Sequence, residues 1–172
     1  MTESVQLNFG FFKTVHGIFK QIQIIFAFAA CILVGSFCIS IGDEIDCVSI
    51  SVFYGQDKYG WQGLIVTVLA TTIIINFIQL MLHFFNLNKV WTNVNWRKAE
   101  MIYAAVCFIL YFICMALEIY FSITAASDIK AQYNISYGSV YVRWLIGAIL
   151  GFIVCGLYAA EAYMIQSGRI ES

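Results

Sequence analysis

Charged side chains inside long apolar runs are the residues of this chain that could do chemistry, because charge is costly in hydrocarbon surroundings and is kept there for a role. The sharpest case is Glu118, within the apolar run from Met101 to Ile123. Arg143 stands near the start of the next apolar run, and its long side chain can extend toward Glu118. Their opposite charges predict a contact that fixes the third helix against the fourth. The alternative is a transport role, in which Glu118 exchanges a proton or a cation.

A second group of polar side chains is predicted toward the opposite end of the same runs. Gln79 and His83 are four residues apart and therefore share one face of a helix. Polar groups of matching depth predict interhelical hydrogen bonds that set the helix register. His83 could also be a pH sensor or a metal ligand, but the chain has one other histidine, so we expect no metal or haem site. The predicted group comprises Lys20, Gln23, Gln79, His83 and Glu161.

Other patterns that carry chemistry are missing from the sequence. It contains no Ser/His/Asp arrangement, no glycine-rich phosphate loop and no CxxC pair. Five of the six cysteines fall in apolar runs and only Cys47 lies in a polar loop, so we expect neither a disulfide framework nor a zinc site. A net charge of −1 gives no basis for binding nucleic acid. We therefore expect a protein that is not an enzyme and needs no cofactor.

The elements that must position these side chains are long apolar helices. The chain is 62% hydrophobic and 11% charged, whereas about a quarter of the residues in soluble domains are charged. A helix needs about 20 residues to cross a hydrocarbon core of about 30 Å, and four runs reach that length. We predict a single domain over residues 1–172, an all-α four-helix transmembrane bundle. Its predicted spans are residues 21–41, 61–85, 99–123 and 139–165.

Basic residues set the predicted orientation of these spans. Placing both termini and the connector 86–98 in the cytoplasm puts six lysines and arginines on that side and three on the other. Because cytoplasmic segments carry the basic excess, we predict that both termini are cytoplasmic. In this orientation Asn134, which begins an Asn-Ile-Ser motif, faces outside and is a predicted glycosylation site.

Small residues mark the predicted close contacts between helices, since they let two backbones approach each other within a membrane. Gly147 and Gly151 form a GxxxG motif on the fourth span, and Gly156 continues the series. Ala27 and Gly35 belong to a similar series on the first span. These patterns predict packing within the chain, and they leave open self-association or docking on another membrane protein.

Two sets of residues match patterns proposed for cholesterol contact. Leu157, Tyr163 and Arg169 match the forward pattern near the end of the fourth span. Lys98, Tyr103 and Val106 match its reverse near the start of the third. The expected partners are therefore membrane lipids, with sterol among them.

The chain resembles the MARVEL-domain proteins, the tetraspan group that contains the MAL, plasmolipin, chemokine-like-factor and synaptophysin-type proteins. The resemblance covers nearly the whole chain and rests on the segments Phe19–Ala27, Ala105–Glu118 and Leu157–Tyr163. It implies a non-enzymatic, membrane-organising role in vesicle trafficking, in sterol-rich membrane domains or at sites of membrane apposition such as cell junctions. It also implies a location in the plasma membrane or in endomembrane vesicles. The alternatives are a small ion or proton channel or carrier that uses Glu118, and an accessory subunit of a larger membrane complex.

Overall fold

The computed structural model describes residues 7–41, 44–49, 60–91, 93–133 and 138–169, and most of them are helical. Its four long helices are each apolar and long enough to cross a membrane. The predicted all-α four-helix bundle is therefore confirmed, with a small hairpin in addition, while the cytoplasmic placement of the termini stays a prediction. The elements are a 3-10 turn (Phe9–Lys13), α1 (Val15–Gly35), β1 (Ser36–Ile41), β2 (Glu44–Ser49), α2 (Gly60–Phe84), α3 (Leu87–Val90), α4 (Trp96–Tyr133) and α5 (Gly138–Gln166).

The first helix lies six residues earlier than the predicted span of residues 21–41. Its start is fixed by Thr14, whose extended backbone and hydroxyl oxygen cap the helix by accepting the N–H of Gly17 at 3.1 Å. A Cβ atom at Gly17 would lie 2.1 Å from the carbonyl oxygen of Phe11, so only glycine lets the 3-10 turn pack this tightly on α1. These local interactions outweigh hydropathy in setting where α1 begins.

After Gly35 the chain becomes extended instead of continuing as a helix. β1 pairs with β2 in an antiparallel hairpin, with Ser36 opposite Ser49 and Ile41 opposite Glu44. In this register Cys38 lies directly opposite Cys47. Cys47, which the sequence places as the only cysteine of a polar loop, therefore has Cys38 as its register partner, because residues 36–41 belong to a strand and not to the first span.

The third long helix extends well beyond the predicted span of residues 99–123. Its start is capped by Asn95, whose side-chain oxygen accepts the N–H of Lys98 at 3.1 Å. The helix then continues to Tyr133 because residues 96–133 include no proline or glycine to stop it. α2 and α5 begin and end within one residue of the predicted bounds. Asn134 lies outside the described residues, and its glycosylation stays a prediction.

Helix packing is close where α5 meets α1 and α4, and the small residues explain it in part. A Cβ atom at Gly147 would lie 2.8 Å from Val34 Cγ2 on α1, and one at Gly151 would lie 1.9 Å from Met115 Sδ on α4. The GxxxG face is thus filled by helices of the same chain. Ala27 is fully buried in the core that these helices share.

Two of the predicted small-residue contacts are looser than the sequence suggested. A Cβ atom at Gly156 would meet nothing within 4 Å, so this glycine does not extend the packed face. A Cβ atom at Gly35 would make only an ordinary contact, 3.8 Å from Val66 on α2. The reason is rotation along the helix: five residues separate Gly156 from Gly151, which turns it away from the i, i+4 face.

Candidate functional site

Four polar pairs connect α2 to α4 along almost the whole length of the bundle. These two helices share far less contact than α1 and α2 do, and polar side chains bridge the space between them. The pairs run in antiparallel order, so each residue later on α2 meets an earlier residue on α4. We call them the polar ladder: Gln62–Glu118, Thr72–Tyr111 at 2.7 Å, Asn76–Tyr103 at 3.3 Å and His83–Glu100 at 2.6 Å.

The first rung of the ladder gives Glu118 a different partner from the predicted one. The side-chain N–H of Gln62 donates to both carboxylate oxygens, at 2.8 and 2.7 Å, and both side chains are buried. The hydrogen bonds of Glu118 in the described structure thus come from Gln62 on α2 and not from Arg143 on α5, so the predicted Glu118–Arg143 contact is not found. The side-chain oxygen of Gln62 makes no hydrogen bond to the described part of the chain.

Asn76 is the side chain where all four long helices meet. Its amide donates to the Tyr158 hydroxyl on α5 at 2.7 Å, and its oxygen accepts from the Tyr103 hydroxyl on α4. Lys20 on α1 donates to the same oxygen at 3.5 Å. Tyr103 therefore directs its hydroxyl inward, which separates it from Lys98 and Val106, the other two residues of the reversed sterol pattern.

A cluster of ionisable side chains lies at the end of the bundle where α1 begins. We call it the basal cluster, and it comprises His16, Lys20, Gln23, His83, Glu100 and Glu161. Glu161 is at its centre: its carboxylate lies 2.8 Å from the Lys20 ammonium and accepts from Gln23 at 2.8 Å. All three of these side chains are fully buried. A buried pair of opposite charges of this kind is strongly destabilised if one partner is removed.

The histidines occupy the outer part of the basal cluster. His83 donates from Nε2 to Glu100 at 2.6 Å, and His16 Nε2 lies 3.9 Å from the other oxygen of Glu100 and 3.1 Å from Glu161. Phe11 of the 3-10 turn stacks on the His83 ring, with centroids 4.6 Å apart. The turn thus covers the two imidazole rings and closes this end of the cluster.

The structure brings together most of the polar side chains that the sequence grouped there. Lys20, Gln23 and Glu161 are in direct contact, and His16 connects them to Glu100 and His83. Gln79 is only half-buried, and its side-chain oxygen makes no hydrogen bond within the described ranges. It lies one turn along α2 from His83, but the cluster does not include it.

Sequence reasoning missed His16, Glu100, Asn76 and Gln62. The predicted spans begin at residues 21 and 99, which leaves His16 outside the first span and Glu100 at the charged start of the third. A usable signal is present in the sequence: in an antiparallel helix pair, the residue numbers of facing positions have a nearly constant sum, so polar residues on one helix should match polar residues on the other at that sum. Gln62, Asn76 and His83 match partners on α4 in that way.

The predicted sterol-contact residues lie on the outer surface at the end of α5. Tyr163 is 59% exposed, and the guanidinium group of Arg169 lies 5.9 Å from the centre of its ring. Leu157, which precedes Tyr163 on α5 by less than two helical turns, is half-buried. Sterol contact stays a prediction, and these exposures are compatible with it.

The basal cluster can hold helices together or bind a cation, since it offers carboxylate oxygens and imidazole nitrogens in a buried space. A family model described as MARVEL, a membrane-associating domain, matches residues 11–164. No curated protein and no solved structure matches the chain.

Proposed function

Because the chain belongs to the MARVEL family of membrane-associating domains, we propose that it is a non-enzymatic membrane-organising protein. It is an integral, multi-pass membrane protein with four spanning helices. Its proposed work is to concentrate in particular membrane regions and to help sort or shape them, in vesicle trafficking or at sites of membrane apposition. Its proposed partners are lipids, sterol among them, and other membrane proteins.

The observation that carries this proposal is the separation of polar and apolar side chains in the bundle. Glu118, Glu161 and Lys20 are turned inward and fully buried. The outer surface instead carries large apolar side chains at 50 to 61% exposure, which in a bilayer face lipid tails and neighbouring proteins. These side chains include Ile25, Phe28, Ile32, Ile74, Phe77, Ile78, Ile102, Ile109, Phe112, Ile113 and Ile149.

Partition between coexisting lipid phases tests the proposal. We expect the purified, fluorescently labelled chain to be enriched at least about threefold in the sterol-rich phase of giant vesicles, a preference of about 0.7 kcal/mol. Combined Tyr163→Leu and Arg169→Ala substitutions should reduce this enrichment, because they remove an exposed aromatic ring and its cationic neighbour. The measurement is the ratio of fluorescence between the two phases.

Tyr120→Leu is the matched control for this experiment. Tyr120 is also an exposed tyrosine, at 62%, but it lies on α4 far from Tyr163 and Arg169. The Tyr120→Leu substitution should therefore leave the preference of the protein for the sterol-rich phase unchanged. An even distribution of the wild-type chain between the phases would contradict the proposed role, and an equal loss in the Tyr120 variant would contradict the sterol site alone.

A carrier that uses Glu118 is the second candidate function, and one observation favours it. The Glu118 carboxylate is fully buried inside a spanning helix, and its hydrogen bonds in the described structure come from the neutral amide of Gln62. Buried carboxylates of this kind occur in proton and ion pathways.

Glu118→Gln separates the two candidates. If Glu118 only joins α2 to α4, the variant should be at least as stable as the wild type and gain about 1 kcal/mol, because two facing amides can exchange two hydrogen bonds and satisfy the Gln62 oxygen. Glu118→Leu should instead cost about 1 to 3 kcal/mol by leaving the Gln62 donor buried and unpaired. Unfolding in detergent measures the stability of each variant, and a proteoliposome assay measures its proton flux. A wild-type flux that Glu118→Gln abolishes would establish the carrier.

A further inference from the structure

We propose that His16, His83 and Glu100 form a binding site for a divalent transition-metal ion, with Zn²⁺ as the ion that fits their chemistry best. The three residues come from α1, α2 and α4, and all three are buried. One donor atom from each lies within 4.8 Å of the other two. The site is distinct from the lipid-facing surface on which the proposed function rests.

The distances between the donor atoms suit a single small ion. In a tetrahedral zinc site with nitrogen and oxygen ligands at about 2.0 to 2.1 Å, neighbouring donors are about 3.3 Å apart. His83 Nε2 lies 2.6 Å from Glu100 Oε1, and His16 Nε2 lies 3.9 Å from Glu100 Oε2. These two distances involve different oxygens of Glu100 and lie on either side of the required spacing. Because one donor atom from each of the three residues lies within 4.8 Å of the others, side-chain adjustments of up to about 1.5 Å would bring the donors into place.

His16 supplies the independent sign that a ligand is missing from the hydrogen-bond network. Its side chain is 2% exposed, yet in the described structure Nδ1 has no hydrogen-bond partner and Nε2 makes only the ion-pair contact of 3.1 Å with Glu161. A buried polar atom without a partner is unfavourable and calls for an explanation such as a bound ion or water. One oxygen of Glu100 is in the same state, and it faces His16. Both orphaned groups belong to the proposed ligand set.

A second layer of contacts supports His83 as a ligand. Its other ring nitrogen, Nδ1, lies 3.2 Å from the side-chain amide of Asn88, whose own oxygen has no hydrogen-bond partner. Rotation of that amide by half a turn would let the oxygen accept a hydrogen bond from Nδ1–H. This leaves Nε2 free to bind the ion, which is the arrangement commonly found for histidine ligands in metal sites.

The donor set selects the class of ion. Two imidazoles and one carboxylate favour zinc or another transition metal, whereas Mg²⁺ and Ca²⁺ prefer ligands that are all oxygen. Glu161, whose oxygen is 3.1 Å from His16 Nε2, lies close enough to serve as a fourth ligand, and a water molecule is the alternative. Bound there, the ion would tie together the ends of α1, α2 and α4 beneath Phe11.

Zinc binding to the purified full chain tests the proposal. The protein carries a tag without histidine, is stripped with a chelator, and is titrated with ZnCl₂ in competition with a zinc-sensitive dye. We expect one equivalent to bind with a dissociation constant below about 1 µM. His16→Gln, His83→Gln and Glu100→Gln should each weaken binding about 100-fold or more. Glu118→Gln, which changes a buried carboxylate at the far end of the ladder, should not.

Cobalt provides a measurement that does not depend on the variants folding. Co²⁺ bound to the wild-type chain should show the visible absorption of a tetrahedral site, without the near-ultraviolet charge-transfer band of thiolate ligands. That band would assign binding to cysteines and overturn the proposal. Failure of the wild type to bind one equivalent of zinc, or full binding by all three ligand variants, would also overturn it.

Discussion

Glu161→Leu is expected to destabilise the protein by about 3 to 5 kcal/mol, the range measured when one member of a buried ion pair is removed. The Lys20 ammonium is fully buried and lies 2.8 Å from the Glu161 carboxylate. Without that carboxylate, its described contacts are the Asn76 oxygen at 3.5 Å and the face of the Tyr103 ring at 5.2 Å. Neither replaces a full negative charge.

The double variant Lys20→Met, Glu161→Leu should recover most of that stability. It removes both charges together and fills their space with apolar side chains of similar size, which is often neutral or stabilising. Lys20→Met alone should cost less than Glu161→Leu, because Gln23 and His16 still contact the carboxylate. If the double variant recovers most of the stability, its effect is smaller than the sum of the two single effects, and the coupling energy between the two positions is about 2 kcal/mol or more.

Unfolding in mixed detergent micelles, with a chelator present so that no metal contributes, measures all four proteins. Lys98→Met is the matched control, since Lys98 is an exposed lysine near the same end of the bundle. It should change the stability by less than about 0.5 kcal/mol. If the Glu161→Leu variant is as stable as this control, the basal cluster does not stabilise the packing of the helices.

Gly151→Leu is the second substitution with a large expected effect. The first added carbon alone would lie 1.9 Å from the sulfur of Met115, which is fully buried. Inserting carbon atoms into a packed core usually costs about 1 to 3 kcal/mol, and a whole leucine side chain at a helix crossing should reach or exceed the top of that range. α5 would have to move away from α4 to accept it.

Gly156→Leu is the control that this chain offers on the same helix. It adds an identical side chain one and a half turns further on, where a Cβ atom meets nothing within 4 Å. It should be neutral or stabilising by up to about 1 kcal/mol, because leucine favours the helix more than glycine does. Combining Gly151→Ala with Met115→Ala should relieve the clash. Strong destabilisation at position 156 would instead indicate a partner helix docked there.

Hydropathy predicted the architecture because lipid is the solvent for these helices, and a run of apolar residues is the main requirement for crossing it. It placed α2 and α5 almost to the residue. It failed at α1 and at the end of α4, where hydropathy does not decide the boundary. Thr14 caps the first helix within a mixed segment, and nothing in residues 124–133 interrupts the helical hydrogen bonds of α4.

The pairing of polar side chains was harder to predict than their depth. Depth follows from counting residues along a helix, and it correctly suggested that Lys20, Gln23 and Glu161 lie at one level. Pairing also requires the rotation of each helix and the order of helices around the bundle. Opposite charge and a position near the start of the next apolar run favour Arg143 as the partner of Glu118, whereas the structure pairs Glu118 with Gln62 on α2. In a sequence, a neutral amide such as Gln62 at the same depth in the membrane indicates a partner for Glu118 less clearly than an opposite charge does.

The length of α4 links the two sides of the membrane mechanically. Its 38 residues extend for about 57 Å, nearly twice the thickness of a hydrocarbon core, and no proline or glycine provides a hinge. The helix should therefore behave as a stiff rod, with Glu100 near one tip and Tyr133 at the other. Because a stiff helix tilts as one body, any tilt of α4 would shift Glu100 relative to the two imidazole rings that it faces, although Tyr133 lies about 50 Å away.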